Sequence, residues 1–295
     1  MLPALLLTLA CGPGPVDLST VTDTRVIAIT GNPPEPWPGE TTQLTATVAN
    51  PEERTLEVLM WTCIPWEERC LEEDGLADLS DQASIARAAE GTAVTTRRVP
   101  DIPNTLPDAL LEELLDQDED LREIDSIPVQ VFALACPLNE CDLINRVRDA
   151  LRREKGTGGS IGRDLYDPTR WMVDLPVGGV SLATKTLLVA RPDQEDRNDN
   201  PTVEARWFAA ADDVLQMEED VPYELAFSVD DPDRDKVYAY GYTTLGRFYD
   251  RSEKVEDGIV RLYLLPEQAG QGELWVVFED DEGGSVVWHR DIRVR

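Results

Sequence analysis

Hydrophobic and polar residues follow three different patterns along this chain of 295 residues. The first is an unbroken apolar run, Leu2 to Ala10, that stops at Cys11 and is followed by Gly12, Pro13, Gly14 and Pro15. The second is alternation, and it recurs. Leu44, Ala46, Val48, Leu56 and Val58 line up without a gap against Leu225, Phe227, Val229, Val237 and Ala239, with Pro51 and Pro232 in the polar turn of each copy. A period of two puts one set of side chains on a core face, so each copy predicts a pair of antiparallel strands joined by a turn. The same offset sets Arg25 to Ile27 against Arg206 to Phe208, predicted as first strands. The third pattern is helical. Leu110, Leu111, Leu114 and Leu115 within 106–124, and Leu143, Val147 and Leu151 within 143–155, each recur every three to four residues.

These patterns predict a mainly β fold: two immunoglobulin-like antiparallel β-sandwiches in tandem, the first carrying a helical insertion. The first sandwich spans 20–192, with strands at 56–64 and 129–136 and insertions at about 66–127 and 142–163. An acidic linker covers 193–201, and the second sandwich covers 202–295, with strands at 202–208, 223–229, 237–243, 258–264, 273–279 and 285–293. In the last of these, alternation sends Trp288 and His289 to opposite faces. The Gly-rich stretch Gly156 to Gly162 lacks the lysine and spacing of a phosphate-binding loop and reads as a connection.

Charge narrows the partners. Against 58 acidic residues stand 27 Lys and Arg, a formal net charge of −31, which disfavours nucleic acid and anionic lipid surfaces and favours a cationic or metal-ion partner. A hydrophobic content of 42% is enough for folded cores. His289 is the only histidine, and neither a nucleophile elbow, nor a zinc-protease helix, nor a dinucleotide fingerprint is present, so the reading is of a protein without catalytic function.

The N-terminal run is too short to span a bilayer, which takes about 20 residues, but it has the length of a signal-peptide core. Ala10 directly before Cys11 resembles the lipobox of bacterial lipoproteins. That resemblance implies residues 1–10 as a signal peptide, acylation of Cys11, a tether over 11–19 and, with Gly12 next, delivery to the outer membrane. Setting Cys11 aside leaves Cys63, Cys70, Cys136 and Cys141, an even number that in an exported chain reads as two disulfides. Pairing Cys63 with Cys70 and Cys136 with Cys141 closes two short loops; pairing Cys63 with Cys136 across neighbouring strands is the rival. Neither pair has the C-x-x-C spacing of a zinc site.

Two further resemblances follow. Arg25 to Ile29, Pro38-Gly39-Glu40 and Trp61 to Cys63, together with the lipobox, resemble predicted surface lipoproteins of myxobacterial type. At the linker, Asp196, Asn198, Asp199, Asn200 and Pro201 match the D-x-N-D-N-P motif of cadherin-like repeats, and Asp231 and Asp233 match that family's D-x-D. This resemblance implies a Ca²⁺ ion between the domains, held by Asp196, Asn198, Asp199, Asn200, Asp231 and Asp233, an oxygen-rich set suited to that ion. The expected function is a membrane-tethered binding or adhesion module for an envelope protein or glycan, with Trp37 and Trp66 as exposed aromatics. The alternative is a structural subunit of an envelope assembly, gripping its partner through the inserted helices.

Overall fold

The computed structural model describes residues 19–37, 40–63, 83–88, 92–98, 126–138, 144–145, 181–190, 197–206, 214–232, 236–250 and 252–295. The described residues are mainly antiparallel β. The N-terminal half holds β1 (Arg25–Asn32), β2 (Thr41–Ala49), β3 (Leu56–Cys63), β4 (Ala83–Ala88), β5 (Thr92–Arg98), β6 (Ser126–Pro137) and β7 (Ser181–Ala190). They form two sheets, β1-β2-β5 and β4-β3-β6-β7. Between them lies one core, in which Val26, Ile29, Leu44, Ala46 and Val48 meet Leu56, Val58, Met60, Val131, Ala133 and Ala135.

The C-terminal half holds β8 (Thr202–Ala205), β9 (Val214–Met217), β10 (Tyr223–Asp230), β11 (Tyr238–Thr243), β12 (Gly246–Phe248), β13 (Ser252–Lys254), β14 (Ile259–Pro266), β15 (Gly270–Glu279) and β16 (Ser285–Val294). Here the sheets are β12-β14-β10-β8 and β13-β11-β15-β16-β9, with β9 running parallel to β16. Their separate core joins Leu225, Phe227, Val260, Leu262 and Leu264 to Ala239, Leu274, Val276, Phe278 and Ile292. The two-fold sequence pattern reappears in burial: Leu44 and Leu225 are fully buried, as are Val58 and Ala239.

Several expectations change. The helical insertion is not supported. The interval 66–127 contributes two strands: β4 pairs with β3, and β5 pairs with β2. The expected helix at 106–124 and the Gly-rich loop lie outside the described residues, and of the helix at 143–155 only Ile144 and Asn145 are described, as helical. Ile144 is buried against Leu59, Trp61, Leu134 and Cys136 on the outer face of β3 and β6. Both faces of β3 are therefore covered, which is why its sequence is almost continuously apolar rather than alternating. The first strand of the C-terminal half ends at Ala205, so the alignment of Arg25 with Arg206 does not place two first strands at equivalent positions. Ser19, assigned to the tether, is fully buried.

The halves pack side by side, and a β-bulge in β1 makes this possible. The pairing of β1 with β2 slips between Val26 and Ala28, so Ile27 is the extra residue. A bulge turns consecutive side chains. Val26 and Ile29 enter the core of their own half, whereas Ile27 and Ala28 face outward and, with Val21 and Ala49, cover Trp275 and Val277 of β15. Residues 19–21 extend the contact. Val21 N–H donates to Thr243 O at 2.8 Å, Thr243 N–H donates to Ser19 O at 2.9 Å, and Phe248 N–H donates to Ser19 Oγ at 3.0 Å. The segment that leads into the first sheet is thus stitched to β11 and β12 of the other half.

Trp288 and His289 do face opposite sides. Trp288 meets Phe227 edge-on at 5.1 Å in the core, while His289 stacks on Trp275 at 5.4 Å.

Candidate calcium site at the junction of the two halves

Asn198 of the acidic linker is buried at this junction. Asn198 is 2% exposed, and three chain segments converge on it. Its backbone N–H donates to Glu35 Oε2 at 2.5 Å, across from the loop after β1. Its side-chain amide donates to Asp280 Oδ1 at 3.1 Å, at the end of β15. Glu35 is 1% exposed and Asp280 is 7% exposed.

The turn between β15 and β16 builds the Asp280 side of the site. Gly283, at φ 96°, takes the left-handed conformation that lets the chain reverse. The reversal points the amides of Glu282 and Gly284 back at Asp280 Oδ1, at 3.0 and 2.7 Å. Gly284 is required for a different reason, space. A Cβ there would lie 2.0 Å from Asp280 Oδ2 and 2.8 Å from the backbone oxygen of Asp199.

Two oxygens in this cluster are left over. Among the described residues, neither Asn198 Oδ1 nor Asp280 Oδ2 has a hydrogen-bond partner, and both atoms are buried. A buried polar atom without a partner costs about 1–3 kcal/mol, more when it is charged, so each of the two oxygens calls for a partner such as a cation or a water. Electrostatics agree. Burial pushes the Asp280 carboxyl above its usual range; hydrogen bonds from Gly284, Asn198 and Glu282 pull it down, and Asp231 adds to the rise. Lys185 is the nearby cation. Burial lowers its ammonium below the usual range, against the pull of Glu279 and Asp280, and its Nζ donates to Ser285 Oγ at 3.0 Å. Burial thus works against both charges, and Lys185 makes no hydrogen bond to Asp280 Oδ2.

The expected ligands sort into three groups. Asn198, Asp199 and Asp231 come to the junction. Asn200 comes too, but as a tie: its Nδ2 donates to Gly31 O at 2.8 Å and its Oδ1 accepts from Ser285 N–H at 2.7 Å, joining the end of β1 to the start of β16. Asp196 and Asp233 lie outside the described residues. Glu35 and Asp280 were not among the expected ligands. Glu35 stands in a run of prolines, Pro33, Pro34 and Pro36, and Asp280 precedes the turn glycines Gly283 and Gly284. Those were the available signals, weak ones in a chain with 58 acids.

Arg197 closes the rim of the junction, its Nη1 2.9 Å from Glu40 Oε2. Glu40 also accepts from Trp37 N–H at 2.9 Å, so the Trp37 loop is held by the same carboxylate. Trp66 lies outside the described residues, as do Cys11, Cys70 and Cys141. Cys136 is buried and disulfide-bonded. Its strand register excludes Cys63 as the partner: Cys136 faces Glu57 and Cys63 faces Gln130. Six residues of strand span about 20 Å, well beyond the roughly 7 Å limit between bridged Cα atoms.

No family model and no curated protein matches this chain. Solved structures align with it at low similarity. The fibronectin(III)-like modules of Clostridium thermocellum CbhA align at 12% identity over 91% of this chain and 94% of theirs, with a TM-score of 0.27. A chimeric titin Z1Z2 tandem aligns at 12% identity over 93% of this chain and 97% of its own, with a TM-score of 0.25. Red sea bream transglutaminase aligns over 93% of this chain but 32% of its own, at 12% identity and a TM-score of 0.26. Likeness at this level carries no argument, and the functional reading rests on the chain's own geometry. Among the described residues no helix is long and apolar enough to cross a membrane.

Proposed function

We propose that this protein is a lipid-anchored outer-membrane protein of the bacterial envelope, in which two immunoglobulin-like sandwiches form one non-catalytic binding module whose joint is fixed by a calcium ion. The observation that carries the reading is the pair of buried, unpartnered oxygens, Asn198 Oδ1 and Asp280 Oδ2. Calcium takes six to eight oxygen ligands, and the junction offers carboxylates of Glu35 and Asp280, the Asn198 amide oxygen and the Asp199 backbone oxygen. Zinc, which favours nitrogen and sulfur, is poorly served by this set. Bound calcium would supply positive charge to oxygens drawn from the loop after β1, the linker and the β15–β16 turn. The ion would add to the β1–β15 contact in holding the halves as one surface for a ligand, which lowers the ordering cost of binding.

Calorimetry on the purified full chain tests the calcium reading. One site per chain is expected, with affinity at least tenfold weaker in Asp280→Asn. At calcium 100-fold above Kd, the unfolding free energy should rise by about 2.7 kcal/mol. Absence of heat at millimolar calcium would end the proposal.

The lipid anchor rests on the Leu2 to Ala10 run and on Cys11. Labelled palmitate should enter the wild-type protein in a bacterial host and be absent from Cys11→Ser. Label persisting in the variant would remove the anchor from this reading. For the disulfides, the pairing Cys136–Cys141 closes the short loop between the end of β6 and the helical Ile144, and Cys63–Cys70 follows by pairing the remainder.

A further inference from the structure

Apart from the junction, one cluster on the outer face of β15 and β16 is unused by the reading above. Glu273 and Asp291 are direct cross-strand partners, and Trp275 is paired with His289. Alternation puts all four side chains on one face, so Glu273, Asp291 and His289 occupy three corners of a square and buried Trp275 the fourth. Like charges directly opposite each other in a sheet are destabilising, and a cation between them removes that cost.

We propose that Glu273, His289 and Asp291 form a binding site for a divalent transition-metal ion of the zinc class. One ligand atom from each lies within 4.8 Å of the other two. A point at the centre of three such atoms is no farther than about 2.8 Å from each, so small side-chain rotations bring them to the 2.0–2.2 Å of zinc–nitrogen and zinc–oxygen bonds. His289 is set up for this. Its ring lies flat on Trp275, with 18° between the planes, and Trp275 is itself 2% exposed and held by the contact with β1. Its Nε2 is buried and makes no hydrogen bond, although Glu273 Oε1 is 3.3 Å away. Glu273 is fixed through its backbone: its N–H donates to Thr244 Oγ1 at 2.9 Å, and its carbonyl accepts from Thr244 N–H at 3.1 Å.

The donor set selects the ion. An imidazole nitrogen with two carboxylates suits zinc and its transition-metal neighbours, whereas calcium calls for oxygen throughout. The setting adds a consequence. Glu273 and Asp291 line a cleft of about 720 Å³ between the β2–β3 turn, with Asn50 and Arg54, and the ends of β15 and β16, with Gln271 and Arg293. Three protein ligands leave a position open, and it would face this cleft, where an anionic group of a ligand would complete the shell.

Zinc titration of the full chain by calorimetry, in millimolar calcium to occupy carboxylate sites of the other kind, tests the proposal. One zinc per chain is expected, with affinity at least tenfold weaker in His289→Ala and in Asp291→Asn. Copper(II) loaded at one equivalent should show nitrogen hyperfine structure by electron paramagnetic resonance, lost in His289→Ala. Asp291 is exposed, so its variant reports on the site even if removing the ring from Trp275 disturbs the sheet. Failure of one-to-one binding, or binding unchanged in both variants, overturns the proposal. Calcium heats should be the same in all three proteins, which separates this site from the junction.

Discussion

Truncating Phe227 to alanine is expected to destabilise the C-terminal half by about 3–5 kcal/mol, the range for removing a buried aromatic ring from a packed core. Phe227 is fully buried in the centre of β10. Its ring meets Phe278 edge-on at 5.2 Å and Trp288 edge-on at 5.1 Å, so it joins the two sheets of that half directly. Neighbours held in paired strands cannot collapse into the gap, and the cavity term adds to the lost transfer energy. For a domain of this size a loss of 3–5 kcal/mol lowers Tm by more than about 10 °C. Hydrogen exchange gives the sharper reading. Protection should fall in β10, β14 and β15 and persist in β2, β3 and β6, because Leu44, Val58 and Ala133 belong to a different core. Equal loss in both halves would mean that the two cores unfold as one unit.

A single methyl group at Gly284 should uncouple the junction. In Gly284→Ala the new Cβ meets Asp280 Oδ2 at 2.0 Å and Asp199 O at 2.8 Å. The carboxylate cannot step aside cheaply, since its Oδ1 is held by the Asn198 amide and by the backbone N–H groups of Glu282 and Gly284. Moving it gives up these bonds, and hydrogen bonds to a charged group contribute about 1.5–3 kcal/mol each. We expect a stability loss of about 2–3 kcal/mol and calcium affinity at least tenfold weaker, read by thermal unfolding and calorimetry. Gly283→Ala is the useful companion, because it strains a left-handed backbone in the same turn. If Gly284→Ala binds calcium as well as the wild type, Asp280 is not a ligand.

Strand content was legible wherever one face of a strand meets a core and the other meets solvent. Ile259 to Pro266 alternates in sequence and in burial, and Tyr223 to Asp230 alternates in sequence although Leu225, Ala226 and Phe227 are all buried; the pattern places both to within two residues at each end. Elements that lack such a period were not. β12 and β13 are three residues each, too short to show one. β4, with Ala83, Ala86, Ala88 and Arg87, is composed of good helix formers, yet it adds to the edge of β3, where tertiary pairing overrides local propensity. The doubled burial of Ile27 and Ala28 was illegible because a bulge is a property of pairing, not of composition.

For the junction, the linker motif marked Asn198 and Asp199 by their order along the chain. Their partners carried no such mark. Glu35 and Asn198 meet across 163 positions, and Asp280 is a further 82 positions beyond Asn198. With 58 acids to choose from, no local pattern distinguishes two that will be buried together. By itself, then, the sequence determined the β character, the two-fold strand pattern and the place of an acidic joint, because side-chain period and backbone geometry are local. Only the tertiary structure decided which carboxylates lose their water and meet the same linker residue, Asn198, because burial depends on what the rest of the chain packs against them.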